Sequence, residues 1–292
     1  MKNEEDIIAD SVTHAARFCD KVFVIDNGSI DDTWDIVKGL GLQNVVPVFS
    51  KDFVFRDYLR LRFMETRKEE LGLDNWWYMF DADEFLLDVP FDAIAKAEEE
   101  GADCIAVEVI NFLLTTEEVR DAEENGRQET WRDRKHYVLY ESGPVKFFKN
   151  TEYADYTICD FVPFGIMREC SQRLLMKHYP YRSLAQLKKR VYTRYGNREF
   201  ESECQRGTDL ERYTFDPAAV PELRLWDEKK GIDLTGGFKH ITPKIGESVR
   251  DRTFSGVIRT LHGLRLLRTF YTFYRRYALW RQKVDLRNEP EF

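Results

Sequence analysis

The sequence predicts an α/β fold with a mostly parallel central sheet flanked by helices, followed by a C-terminal helical appendage. In the first half of the chain, short β-rich apolar runs alternate with segments whose apolar residues recur at helical spacing. Turn-forming residues or carboxylates end these runs, and a last apolar stripe of helical period lies among arginines after residue 250. Strands that alternate with helices in this way are typical of parallel sheets, which bind ligands outside the carboxyl ends of their strands.

The first half of the chain contains the clearest predicted elements. An amphipathic helix over residues 8–19 precedes a strand at residues 21–25, which ends in the turn-forming sequence Asp26-Asn27-Gly28-Ser29. The next helix is capped by Ser29 or Asp31 and stopped by glycines at residues 39 and 41. The remaining elements of this half are, in order, a strand at residues 45–49, a charged helix at residues 56–70 and a strand at residues 76–80.

The second half has weaker periodicity. A helix from Pro90 to Ala97 and a strand from Cys104 to Leu114 precede the charged residues 115–135, which we expect to form a loop. Two short runs at residues 137–140 and 145–148 predict a hairpin, with its turn at Ser142-Gly143-Pro144. We divide the chain into a core at residues 1–195, which ends in a basic helix from residue 183, a loop-rich extension at residues 196–250, and a basic amphipathic tail at residues 251–292.

The composition is that of an ordinary soluble protein, with 43% hydrophobic and 33% charged residues among 292. Because no apolar run is long enough to span a membrane and the N-terminus lacks a signal-peptide core, we expect a cytoplasmic protein. The five cysteines form no C-x-x-C pair, which argues against zinc and disulfides. The net charge is −8, and a body this acidic is expected to repel nucleic acid.

The tail has the opposite charge. Residues 252–284 include eight basic and no acidic residues, which leaves −16 on the rest of the chain. As an amphipathic helix rich in arginine and aromatic residues, the tail can make a peripheral contact with an anionic membrane at its inner face. The alternative is that its apolar stripe packs on the acidic body.

Two carboxylates that follow the 76–80 strand form the first candidate site. If the strand continues through Asp81 and Asp83, side-chain alternation places both carboxylates on one side, where they can hold one cation. Mg²⁺ and Mn²⁺ bind oxygen ligands and leave positions open for substrate phosphates. The alternative is a solvated acidic turn at the end of a core strand.

Four segments of the chain carry motifs in a fixed order. They are Lys2-Asn3-Glu4-Glu5-Asp6-Ile7-Ile8, residues 24–33 with Asp26-Asn27-Gly28-Ser29, Phe80-Asp81-Ala82-Asp83-Glu84-Phe85, and Lys177-His178-Tyr179-Pro180-Tyr181-Arg182-Ser183. This order resembles the family 2 glycosyltransferases of the GT-A fold, particularly the subgroup with an Asp-Ala-Asp-Glu-Phe motif, over roughly residues 2–190. The resemblance implies a Rossmann-like sheet and a nucleotide-sugar donor bound with Mn²⁺ or Mg²⁺. In that family an apolar strand also precedes the Lys-Asn-Glu segment, which implies a further strand in the middle of the sheet.

The resemblance assigns roles to individual residues. It makes Asp83 the direct metal ligand, while Asp81 contacts the ribose or, through water, the metal. His178 is the candidate third ligand because neutral imidazole coordinates Mn²⁺, and the alternative is a histidine packed in the core. The candidate residues for nucleotide-sugar binding are Asn3, Glu4, Asp26, Asn27, Asp81 and Arg182.

The assignments of Asp26 and Arg182 follow from the hydrogen bonds that their side chains can make. Asp26 resembles the residue that accepts a hydrogen bond from the nucleotide base, although turn chemistry alone explains an Asp-Asn-Gly sequence equally well. Arg182 can hold the diphosphate with its planar donor fork. Arg56 and Arg60, on the helix before the metal motif, can do the same or can form a solvated helix face.

An inverting transfer also needs a general base to take the proton of the acceptor hydroxyl. The family usually supplies it from a Glu-Asp pair after the metal motif, and this sequence has no such pair in that window. Asp160 and Glu169 are the available carboxylates. We favour Asp160, since its apolar neighbours would raise its pKa towards a useful value. A retaining mechanism is the alternative.

We therefore expect a metal-dependent glycosyltransferase that moves a sugar from a nucleotide-sugar, with UDP-sugar the expected donor, to a saccharide or lipid-linked acceptor. One alternative is a catalytically degenerate GT-A domain that acts as a binding or scaffold module. Another is a sugar nucleotidyltransferase, which would be expected to carry a glycine-rich, basic phosphate loop near its start. The sequence contains no such loop.

Overall fold

The computed structural model describes residues 1–51, 58–140, 143–156, 163, 165–166, 168–194 and 213–238. Its first part is a small layered unit of α1 (Ile8–Ala15), β1 (Val22–Asp26), α2 (Thr33–Gly39) and β2 (Val45–Ser50). β1 and β2 pair in parallel. The apolar faces of α1 and α2 cover this pair, with Val12, Val24 and Val37 buried between them. The alternation of helix and strand predicted for this region is confirmed.

A larger sheet and the helices around it form the rest of the described fold. Its elements are α3 (Tyr58–Leu71), β3 (Trp76–Tyr78), β4 (Glu84–Leu86), α4 (Phe91–Glu100), β5 (Cys104–Leu113), α5 (Thr116–Glu124), β6 (His136–Leu139), β7 (Val145–Lys149), β8 (Leu174–His178), α6 (Leu184–Arg194) and β9 (Arg224–Leu225). β5 is the central strand, since it pairs with β6, β7 and β8. A buried strand of this kind is expected to be mostly apolar, and β5 is apolar except for Glu108 and Asn111.

The predicted α/β class is confirmed, but a mostly parallel sheet is not. Among the strands of the described ranges, β1 with β2 and β5 with β8 pair in parallel, and the other five strand pairings are antiparallel. The larger sheet is mostly antiparallel because β6 and β7 both run opposite to the central strand β5.

The hairpin predicted for residues 137–148 is wrong. β6 pairs with the carboxyl end of β5, at residues 110–113, and β7 pairs with its amino end, at residues 104–106. The two strands therefore follow each other along β5, and each is paired with β5 instead of with the other. Residues 141–142, in the predicted turn, lie outside the described residues.

The loop predicted for residues 115–135 is also wrong in part, because α5 occupies residues 116–124. Thr115 caps this helix: its hydroxyl accepts a hydrogen bond from the Glu118 N–H, while the Glu118 carboxylate accepts one from the Thr115 N–H. This reciprocal pair satisfies two backbone donors that a helix start leaves unpaired. A short 3₁₀ helix at residues 131–133 follows.

The aromatic strand is shorter than predicted. β3 ends at Tyr78, and the chain then turns before it re-enters the sheet as β4 at Glu84. In the turn, the Glu84 N–H donates to the Asp81 carbonyl at 3.1 Å, and the Asp81 N–H donates to the Glu84 carboxylate at 2.8 Å. Phe80 stacks on Tyr78 across this turn, with ring centroids 5.1 Å apart. The acidic motif is thus a turn between two strands.

A cavity of about 540 Å³ lies between the two sheets. Residues 22–25 of β1 line one wall, and residues 74–80 with Phe147 line the other. Met1 lies beside β1, where its amino group donates to the Ile25 carbonyl at 3.0 Å and its carbonyl accepts from the Asn27 N–H at 2.8 Å.

The C-terminal part of the chain is described only over residues 213–238. Here β9 pairs with β6, and the 3₁₀ helix Pro217–Ala219 precedes it. The predicted amphipathic tail at residues 251–292 lies outside the described residues. None of the helices in the described ranges has the length and apolar character needed to cross a membrane.

Candidate functional site

The pairing of β4 with β8 brings two of the sequence motifs together. Glu84 lies opposite His178 in the antiparallel register, and the Tyr179 N–H donates to the Asp83 carbonyl at 2.9 Å. The Asp83 Oδ2 atom consequently lies 3.6 Å from His178 Nε2. This separation is too long for a hydrogen bond and leaves the two groups facing each other.

A second strand pairing fixes the ring of His178. Asn111 on β5 lies opposite His178 in the parallel register, and its Oδ1 atom accepts a hydrogen bond from His178 Nδ1 at 2.7 Å. With Nδ1 as the donor, a neutral ring presents the lone pair of Nε2 towards Asp83. Metal-binding histidines usually have such a partner behind the ring. Asn111 is therefore a site residue that the sequence motifs did not identify.

The carboxylate of Asp83 is buried, with 9% of its side chain exposed. Burial by itself raises its pKa, but the charges of His178, Arg182 and Arg190 outweigh this and hold the pKa of Asp83 well below its usual range. Burial also lowers the pKa of His178, yet Asp83 outweighs it and the net shift is upward. The site thus keeps a buried anion that favours a cation beside it.

Asp81 has different partners from Asp83. Its carboxylate lies 2.6 Å from Arg60 on α3 and 3.5 Å from Lys146 on β7. Burial raises the pKa of Asp81, but these two cations outweigh it, and the net shift is strongly downward. Since residues 79–83 are not a strand, strand alternation does not determine where the two carboxylates lie. The guanidinium of Arg60 meets Asp81, and its contact with a diphosphate stays a prediction.

Lys146 and Glu84 form a buried ion pair beneath this turn. Their Nζ and Oε1 atoms lie 2.7 Å apart, and each side chain is 7% exposed. Glu84 also accepts the N–H of Asp81 at 2.8 Å, so the pair is connected to both the backbone and the carboxylate of Asp81. Neither Lys146 nor the burial of Glu84 was predicted, because a single lysine in a strand gives no pattern.

Arg182 lies in the interior and holds the N-terminal segment. Its Nε atom lies 2.7 Å from Asp6, its Nη2 atom meets both Asp6 and Glu4, and its side chain has no exposed surface. Its Nη1 atom donates to the Tyr179 carbonyl at 3.3 Å and lies 3.7 Å from Asp83. The donor fork predicted to hold a diphosphate is thus turned to protein carboxylates.

The loop after β1 is closed by its own side chains. Asp26 is buried, and its carboxylate accepts hydrogen bonds from the N–H and hydroxyl of Ser29 and from the Ser50 hydroxyl. Asn3 joins the loop to the N-terminal segment, since its N–H donates to the Ser29 hydroxyl at 2.8 Å and its Oδ1 accepts from Ile30 N–H at 2.9 Å. The turn chemistry suggested for Asp26 is present, and contact with a nucleotide base stays a prediction.

The other predicted residues of this region lie beside that loop. The Glu4 N–H donates to the Thr33 hydroxyl at 2.7 Å, and its carboxylate pairs with Arg182. Asn27 is buried next to Met1. Glu4 therefore connects the loop after β1 to the His178–Ser183 segment, so three of the four motifs are in direct contact.

Of the two candidate general bases, the structure describes one. Asp160 lies outside the described residues. The alternative, Glu169, is buried and lies 2.8 Å from Arg173.

Within the ranges that the structure describes, no group of three or more His, Cys, Asp and Glu side chains is arranged to hold a metal ion. Asp83 and His178 are a pair of donors, and Asp81 is engaged by its own cations. No protein-family model matches the chain, and no curated protein matches it significantly.

Proposed function

We propose that this protein is a metal-dependent glycosyltransferase that transfers a sugar from a nucleotide-sugar, with UDP-sugar the expected donor, to a saccharide or lipid-linked acceptor. The observation that carries the proposal is the pair of Asp83 and His178. They come from two motifs far apart in the chain, lie 3.6 Å apart, and are fixed by the pairing of β4 with β8.

The donor set fits a divalent cation such as Mn²⁺ or Mg²⁺. Adjacent ligands of one ion, each about 2.1 Å from it, are separated by about 3–4 Å, which includes the observed 3.6 Å. Asp83 and His178 would hold the ion, and Asn111 would orient the imidazole. Two protein donors suit a site of this kind, since Mg²⁺ usually keeps positions for water and substrate phosphates. When bound, the cation would neutralise the charge that develops on the departing diphosphate.

The remaining motif residues support a donor site by position. Arg182 ties Glu4 and Asp6 to the segment that carries His178, so direct contacts connect the loop after β1 with the Asp83–His178 pair. We assign Asn3, Glu4, Asp26 and Asn27 to the nucleotide side of this site, with Asp81 next to them. The parallel pair β1–β2 with α1 and α2 supports a GT-A type of sheet at this point.

The residues that we assign to acceptor binding and activation lie outside the described ranges. Asp160 stays the candidate base for an inverting transfer. A peripheral membrane contact through residues 252–284 stays a prediction, and it would bring the site near lipid-linked acceptors. Co-sedimentation with anionic liposomes tests it: deletion of residues 252–292 should abolish binding, and unchanged binding would exclude a role for the tail.

A thermal-shift screen of nucleotide-sugars with and without Mn²⁺ tests the proposal. A ligand that binds only the native state raises the melting temperature, so the correct donor should stabilise the protein in the presence of Mn²⁺. Asp83→Asn should remove this stabilisation, whereas the exposed Asp92→Asn should retain it. Stabilisation by UDP-sugar without release of UDP would instead favour a binding or scaffold module.

A further inference from the structure

The candidate metal ligand Asp83 lies in a four-residue turn, from Asp81 to Glu84, between β3 and β4. The Glu84 N–H closes this turn on the Asp81 carbonyl at 3.1 Å, as in a β-turn. A side chain makes the second bond between the two ends, because the Glu84 carboxylate accepts the Asp81 N–H at 2.8 Å. Asp83 is the third residue of the turn, so the position of its carboxylate depends on how the two ends are held.

Lys146, on β7, contacts this part of the chain at three places. Its carbonyl accepts the N–H of Met79, which precedes the turn, at 2.8 Å. Its Nζ atom lies 2.7 Å from the Glu84 carboxylate and 3.5 Å from Asp81 Oδ2. A single residue of the larger sheet is thus connected to the chain before the turn and to both ends of the turn.

The turn concentrates negative charge, since Asp81, Asp83 and Glu84 place three carboxylates within four positions. Like charges this close repel each other, and the repulsion is stronger where burial excludes water. The side chains of Asp83 and Glu84 are both buried. Lys146 lies beside two of the three carboxylates and reduces this repulsion, so the turn can keep its shape while Asp83 is anionic.

Stability alone does not explain a buried ion pair at this place. The cost of removing two charges from water often exceeds their attraction, and apolar residues of similar volume are often as stabilising or more so. The Lys146–Glu84 pair also supplies direction. Glu84 Oε2 accepts hydrogen bonds from Lys146 Nζ at 2.7 Å and from the Asp81 N–H at 2.8 Å. An apolar pair would fill the same space and would leave the Asp81 N–H without this acceptor.

We propose that Lys146 is a positioning residue of the metal site, which acts through Glu84 to fix the turn that carries Asp83. This inference rests on the proposed function, because it assumes that Asp83 and His178 hold a divalent cation. A displacement of the turn would change the 3.6 Å separation of Asp83 and His178, which suits two ligands of one ion. Lys146 lies outside the four sequence motifs, so the inference adds a residue that they do not identify.

Calorimetric titration with Mn²⁺ tests the inference, with urea unfolding of each variant to show that it is folded. Lys146→Met/Glu84→Leu removes both buried charges and the acceptor of the Asp81 N–H. Its Mn²⁺ affinity should fall at least about tenfold, as for other outer partners of metal sites. Lys146→Met/Glu84→Gln keeps an acceptor for that N–H and should recover part of the loss. Lys149→Met, which removes the ion pair of the same strand with Glu98, is the matched control and should bind Mn²⁺ as the unmodified protein does.

The outcomes separate this inference from the proposed function. If the unmodified protein and the folded Leu double variant bind Mn²⁺ equally well, the pair serves stability alone, and the inference is overturned while the proposed function stands. Equal losses in the Leu and Gln double variants, or the same loss in Lys149→Met, would also overturn it. If the Leu double variant does not fold, the Gln double variant must still bind Mn²⁺ more weakly than the unmodified protein. If the unmodified protein binds no Mn²⁺, alone or with UDP, the proposed function fails and the inference falls with it.

Discussion

Asn111 Oδ1 accepts a hydrogen bond from His178 Nδ1 at 2.7 Å, and this contact turns the opposite ring nitrogen towards Asp83. The parallel register of β5 and β8 places the two residues opposite each other. Removal of such a partner typically lowers the affinity of a metal site 10–100-fold. We therefore expect Asn111→Leu to weaken Mn²⁺ binding by about this factor, measured by calorimetry.

The control for that measurement is Asn125→Leu, because Asn125 is exposed and caps α5 away from the site. It should leave Mn²⁺ affinity unchanged. Equal Mn²⁺ affinity of the Asn111 variant and the unmodified protein would show that the orientation of His178 has no part in metal binding.

Arg182 should contribute to stability more than to binding. Arg182→Met leaves Glu4 and Asp6 without their cation, and breaking a buried ion pair costs about 3–5 kcal/mol. Because the Asp6 side chain is 37% exposed and water can replace part of the interaction, we expect the low end, about 3 kcal/mol, in urea unfolding. Arg120→Met should change the free energy of unfolding by less than about 0.5 kcal/mol. An Arg182 variant with the midpoint of the unmodified protein would contradict this account.

The buried Lys146–Glu84 ion pair can be tested by the stability of two single variants and of the double variant. Lys146→Met or Glu84→Leu alone leaves a buried charge without its nearest partner and should destabilise the protein by about 3–5 kcal/mol in urea unfolding. The double variant removes both charges and should lose less than the sum of the single losses. Strictly additive losses would mean that the two side chains do not interact.

The ion pairs and hydrogen bonds of Glu118 predict how the stability of the protein depends on pH. Burial raises its pKa, but His136, Arg134 and two backbone donors outweigh burial, and the net shift is downward. A lowered pKa in the folded state gives stability that is present above the unfolded pKa, about 4.3, and is lost as the pH falls through the folded value.

The unmodified protein should thus exceed Glu118→Gln in free energy of unfolding at pH 7, and the difference should shrink as the pH drops below about 4.3. Urea unfolding at a series of pH values measures this difference. A constant difference between pH 7 and pH 3 would show that the Glu118 charge is not the stabilising group.

The sequence motifs identified residues that the fold brings together, but not the contacts between them. Asp83 and His178 were named from their motifs, and the pairing of β4 with β8 places them side by side. The same reasoning assigned Arg182 to a ligand, whereas it binds Glu4 and Asp6. A motif indicates that a residue is needed, and only the surroundings show which partner its charge meets.

Long-range strand pairing limits prediction from sequence in this chain. Alternating apolar residues indicate which face of β6 or β7 is buried, but not which strand each of them joins. Both pair with β5, so the predicted hairpin is wrong, and Asn111 acquires its place opposite His178 through the same sheet. α5 is a different case, since Thr115 followed by Glu118 is a capping-box signal that the high charge of the segment obscured.

Release of UDP from UDP-sugars, measured with and without Mn²⁺, tests the central claim most directly. A panel of UDP-sugars should include at least one donor that the purified protein hydrolyses slowly in the presence of Mn²⁺, even without an acceptor. Asp83→Asn should abolish this release, and Asp92→Asn should retain it. Release that does not depend on Mn²⁺ and is equal in the Asp83 variant, or no release from any donor, would contradict the assignment of Asp83 and His178 to a metal-dependent transfer.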